Sequence, residues 1–117
     1  MDMEKLNTSF MQFLFDDLPH NQRLHAIKFA TEDQLKSIVE LIYNLLIGNI
    51  PITTEEILLL KKHKSFLYKL VQNKNHPDKI RGLLCKNYNT FVHLLRLLES
   101  WVSEHIFGAS NLQNVNI

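Results

Sequence analysis

The chain of 117 residues carries 13 Lys or Arg against 12 Asp or Glu, a formal net charge of +1, with 45% apolar and 21% charged residues. That balance excludes a disordered or collagen-like chain, and the length fits one domain whose core needs neither metal nor disulfide. The lone Cys85 excludes an intramolecular disulfide, and the start MDMEKLNTSF lacks the basic region and apolar core of a secretory signal, so a reducing intracellular setting, cytoplasm or nucleus, is expected.

Three Gly and three Pro punctuate the chain, most of them between helical patterns. The predicted fold class is therefore all-α: a compact bundle of five or six helices in a single helical domain, residues 1–108, with a flexible polar C-terminal tail, 109–117. A first amphipathic segment spans about Met3 to Phe15, with Leu6, Phe10, Phe13 and Leu14 on one face, and stops near Leu18-Pro19, since proline disfavours helix in the residue before it. A second covers about His20 to Ala30 and offers Leu24, Ile27 and Phe29 to the core. Thr31-Glu32-Asp33-Gln34 then reads as a capping box, followed by Leu35, Ile38, Val39, Ile42, Leu45 and Leu46 at helical spacing, and Gly48 supplies the left-handed stop. Asn49-Ile50-Pro51 is the connector.

Thr53-Thr54-Glu55-Glu56 opens a fourth helix by the same capping logic. It is expected to run unbroken to Val71, with Ile57, Leu60, Leu67, Leu70 and Val71 as its buried stripe and the basic run 61–64 in its middle. Asn73 to His76 is a polar linker, and Pro77 suits the first turn of a short fifth helix through about Cys85. Asn89 or Thr90 is expected to cap a last helix reaching about Phe107 and ended by Gly108. The third, fourth and last helices are expected to form the core. The most hydrophobic run, Phe91 to Val102, is short and interrupted by His93, Arg96, Glu99 and Ser100, so no membrane span is expected.

The near-neutral total hides a partition. Residues 1–60 sum to −5, residues 61–86 to +7 and residues 87–117 to −1. The positive segment holds Lys61, Lys62, Lys64, Lys69, Lys74, Lys79, Arg81 and Lys86 against the single acid Asp78. A solvated helix face is the simplest reading; the alternatives are a surface that tracks nucleic-acid phosphates or one that meets an acidic protein partner.

Catalytic signals are absent. His20, His25, His63, His76, His93 and His105 show no short metal-ligand spacing, and Cys85 pairs with neither His76 nor His93 in a nucleophile-bearing context. The expectation is a non-enzymatic protein with no metal, cofactor or small-molecule substrate. The last helix is the more informative surface, because its apolar residues occupy more than one face. Either it is the central core helix, or Phe91, Leu94, Leu98, Trp101 and Val102 leave part of it as an interface for a second copy, a capsid partner or a lipid surface.

Glu40-Leu41-Ile42-Tyr43-Asn44-Leu45-Leu46-Ile47-Gly48-Asn49-Ile50-Pro51-Ile52-Thr53, followed by Leu60-Lys61-Lys62-His63-Lys64-Ser65-Phe66-Leu67-Tyr68-Lys69-Leu70-Val71, resembles a family of short helical proteins encoded by polinton (Maverick) mobile elements and the related adintoviruses of animals. The resemblance covers roughly Leu14 to Val102 and rests on the Gly-Asn-x-Pro connector and the Lys-His-Lys helix recurring in order. It implies a structural or assembly protein of a virus-like element, virion-associated, whose partners are itself or other element-encoded proteins, with DNA as the alternative partner. Residues 75–91 depart from the family pattern: the family's dense Lys/Arg run is thinned, and its Gly-Gly-Phe is missing. The resemblance brings no catalytic residues.

Overall fold

Both threonine capping boxes form. Thr31 Oγ1 accepts from the Gln34 amide at 3.2 Å, and the Gln34 side chain accepts from the Thr31 amide at 2.8 Å. Thr53 and Glu56 repeat the pair at 3.2 and 2.7 Å. Each cap satisfies amides that a helix start leaves unpaired, a contribution of about 1 kcal/mol. In the computed structural model, which describes residues 8–16 and 19–104, these boxes open the third and fourth of seven helices. The helices are α1 (Thr8–Phe15), α2 (His20–Lys28), α3 (Glu32–Leu46), α4 (Thr54–Lys62), α5 (Lys64–Gln72), α6 (Pro77–Lys86) and α7 (Tyr88–Val102). No strand occurs among the described residues. The expected tail 109–117, the stop at Gly108 and the first residues of the expected first helix lie outside them.

The expected five or six helices become seven because the segment from Thr53 to Val71 is not one helix. His63 leaves helical geometry at φ −108° and ψ 17°, closing α4 and opening α5. Its amide bonds Leu60 O at 3.0 Å, one residue short of the α-helical partner. The break uncouples two apolar stripes that a continuous helix would hold in phase: α5 buries Phe66, Leu67 and Leu70, whereas α4 buries nothing. The basic run therefore sits across a joint, not mid-helix.

The core draws Leu35, Ile38, Val39, Leu41, Ile42 and Leu45 from α3, and Phe91, Leu94, Leu95, Leu98 and Val102 from α7. Between them lies α6, which was not expected to be central. It packs against α2, α3, α5 and α7 and buries Ile80 and Leu84 completely. The first half of the expected fourth helix drops out of the core. Phe29, expected inside, is 72% exposed and leans on the His25 ring at 4.5 Å, and Ala30 takes the interior place beside it.

Among the described residues two polar side chains are buried. Ser37 donates to Asp33 O at 3.1 Å, while Asn44 donates to Glu40 O at 2.8 Å and accepts from Asn49 Nδ2 at 2.7 Å. The Asn44–Asn49 bond ties the end of α3 to the connector beyond Gly48, whose φ of +84° only glycine adopts without strain. α7 opens at Tyr88, just ahead of the expected cap residues. Asn87, which precedes it, turns its side chain back to donate to Leu83 O at 2.9 Å instead of capping α7.

Candidate interaction surface

The end of α3, the connector and the α4–α5 joint enclose a groove. Buried Ile50 anchors the connector, the Thr53 capping box sets where α4 starts, and the break at His63 turns α5 away from it. The resulting hollow, about 350 Å³, has Leu45, Leu46, Ile50 and Ile52 on one side and Ile57 and Leu60 on the other. Lys61, Lys64 and Tyr68 also line it. Lys64 Nζ stands 5.4 Å from the centre of the Tyr68 ring, a cation–π distance that holds the ammonium beside the apolar walls.

The three helices that meet here also expose large apolar side chains. Tyr43, Ile47, Ile57, Leu58 and Tyr68 are all exposed, Leu58 by 63%. α4 is the reason: in a nine-residue helix the run Ile57-Leu58-Leu59-Leu60 covers more than one face, and the break at His63 prevents α5 from covering the remainder. The signal was present in the sequence, since four consecutive apolar residues in a short helix, like those of the last helix, cannot all pack against one neighbour.

Of the two alternatives for the last helix, core or interface, burial fits the core. Phe91, Leu94, Leu98 and Val102 are buried in the chain's own core, and Trp101 is half-buried against it. α7 takes up its wide apolar surface by packing against both α1 and α6, so this face is spent within the protein.

The basic segment divides. Lys61, Lys62, Lys64, Lys69, Lys74, Lys79 and Lys86 are exposed, and none forms an ion pair with another described residue. They are distributed over α4, α5, α6 and the α5–α6 linker. Arg81 is different and does not belong to a phosphate-facing surface. Its guanidinium donates to Ala30 O at 2.6 Å and to Asp78 Oδ1 at 2.8 Å, clamping α6 to the turn after α2.

Among the described residues no three His, Cys, Asp or Glu side chains gather as a metal site, and no helix is long and apolar enough to cross a membrane. Cys85 is half-buried against the core. No family model, no curated protein and no solved structure matches the chain.

Proposed function

We propose that the protein is a non-enzymatic structural or assembly protein of a virus-like mobile element, acting through protein–protein contact at the groove between α3, α4 and α5. One observation carries the contact surface: α4 alone among the described helices buries none of its residues, and its exposed Ile57 lines an apolar hollow, with Leu58 exposed next in sequence. Exposed aliphatic side chains around a hollow with lysines beside it suit an apolar segment of a second copy or of another element-encoded protein. The sequence pattern over residues 40–53 and 60–71 supports the mobile-element origin.

Chemical cross-linking through lysine amines tests the contact, because Lys61 and Lys64 stand at the groove. The chain, co-expressed with the other proteins of the element, is expected to give intermolecular links from these two lysines, and Ile57→Glu is expected to abolish them. A chain that stays monomeric at every concentration and links to nothing refutes the reading. The origin is tested separately by sequencing the flanking DNA, where genes for particle and replication proteins are expected.

A second reading has its own support. Seven exposed lysines with no acid partner among the described residues fit a nucleic-acid-associated protein, each neutralised phosphate releasing counterions. Titration onto duplex DNA at two salt concentrations decides it. Binding that weakens steeply with salt and is lost when Lys61, Lys62 and Lys64 become glutamate supports this reading, and salt-independent or absent binding removes it.

A further inference from the structure

A second cleft lies between α2 and α7, lined by residues from neither the groove nor the basic segment. Its volume is about 370 Å³, and among the residues lining it are His20 and Arg23 from α2 and Asn89, His93 and Arg96 from α7. Tyr88 and Val92 complete the lining, which contains no carboxylate. In a chain of net charge +1, two arginines, two histidines and an asparagine around one acid-free hollow form a concentrated set of hydrogen-bond donors. Each imidazole brings at least one N–H whatever its protonation, and each guanidinium brings a planar fork that matches two oxygens of an anion.

The α2 side of the cleft is held in place. Tyr88 Oη donates to His20 O at 3.3 Å, and the Tyr88 and His20 rings meet edge to face at 4.3 Å, so the start of α2 is tied to the start of α7. Arg23 is held by two bonds of its own: Nε donates to Leu14 O at 3.0 Å and one terminal nitrogen to Asp16 O at 2.6 Å. Neither carbonyl brings a full charge to neutralise the guanidinium, and the second terminal nitrogen makes neither bond. Arg96 and His93 are exposed and make no side-chain hydrogen bond or ion pair with another described residue. Both helices begin here without an acidic residue in the first turn and without a side-chain cap, which adds to the positive field the side chains establish. An adjoining hollow shares Arg23, Val92 and Arg96 but is also lined by Asp16 and Glu99, so the acid-free end is the relevant part.

We infer that the α2–α7 cleft binds the phosphate group of a small phosphomonoester, held by Arg23 and Arg96 with His20, His93 and Asn89 as further donors. A phosphomonoester carries close to two negative charges near pH 7 with three acceptor oxygens, which suits converging arginines better than a singly charged carboxylate does. The cleft is separate from the groove of the proposed function, and the two readings stand or fall independently.

The test is a titration of the full chain with inorganic phosphate, and then with glycerol 3-phosphate, followed by amide and side-chain NMR. Saturable shifts at Arg23, Asn89, His93 and Arg96 are expected, with the phosphomonoester binding more tightly than the free ion. Arg96→Gln and His93→Gln change exposed side chains, so both should fold, and Arg96→Gln should weaken binding roughly tenfold or more, the effect of losing one charged hydrogen-bonding partner. Lys28→Gln removes the same charge outside the cleft and should bind as the parent does. Shifts that fail to saturate, that are equal in Arg96→Gln and Lys28→Gln, or that centre on Lys61 to Lys64 overturn the inference. So does saturable binding of duplex DNA through these same residues without phosphomonoester binding, which would make the cleft part of a nucleic-acid surface.

Discussion

Truncating Leu84 and Leu58 to alanine, one variant at a time, distinguishes the interior helix α6 from the surface helix α4. Leu84 is 0% exposed and Leu58 63% exposed, although both are leucines in short helices. Leu→Ala removes three carbons, worth about 2.4 kcal/mol when fully buried at about 0.8 kcal/mol per carbon. At Leu84 the incompletely collapsed cavity adds to this, for a total of about 3–4 kcal/mol. At Leu58, with only about a third of the side chain covered, the same arithmetic leaves less than about 1 kcal/mol. With a urea dependence of about 1.5 kcal/mol/M, Leu84→Ala lowers the unfolding midpoint by about 2 M and Leu58→Ala by less than about 0.6 M. Urea titration followed by far-UV circular dichroism measures both. Equal shifts, or a larger one for Leu58→Ala, refute the placement of α6 inside and α4 outside.

The two described glycines away from the termini should respond with opposite signs. A Cβ at either meets nothing within 4 Å, but Gly48 sits at φ +84° whereas Gly82 lies in α6, so Gly48→Ala should destabilise by about 1 kcal/mol and Gly82→Ala stabilise by a similar amount, as thermal melts would show. Arg81→Met should lower stability by about 1–2 kcal/mol by removing the charged bond to Ala30 O, the exposed pair with Asp78 contributing little. The same variant should leave any affinity for DNA nearly unchanged, whereas Lys61→Glu should not, a contrast that a salt-dependent binding assay reads directly.

Local signals in the sequence were reliable where a short-range bond carries them. The two capping boxes, the stop at Gly48 and Pro77 at the start of α6 all follow from contacts spanning a few residues, and all are present. The break at His63 is of another kind. Lys61, Lys62, His63, Lys64 and Ser65 all tolerate a helix, and the reason to stop is the direction α5 must take to bury Phe66, Leu67 and Leu70 against α3. The misplaced Phe29 and the unexpected centrality of α6 have the same origin, since burial is decided by neighbours remote in sequence. The candidate groove was half legible: its apolar residues were noted, but as a buried stripe. The α2–α7 cleft was not legible, because His20 and Tyr88 are 68 residues apart and no motif spacing joins them.

Because no α4 side chain is sealed in the interior, the nine residues between the connector and His63 are expected to open more readily than α3, α5, α6 and α7. Their amides should then exchange with solvent through a local opening that bypasses global unfolding, opposed by the Thr53 cap and the half-buried Leu59 and Leu60. An occupant of the groove would latch this segment shut, so its arrival would register as slowed exchange in one short helix while the rest of the molecule kept its rates.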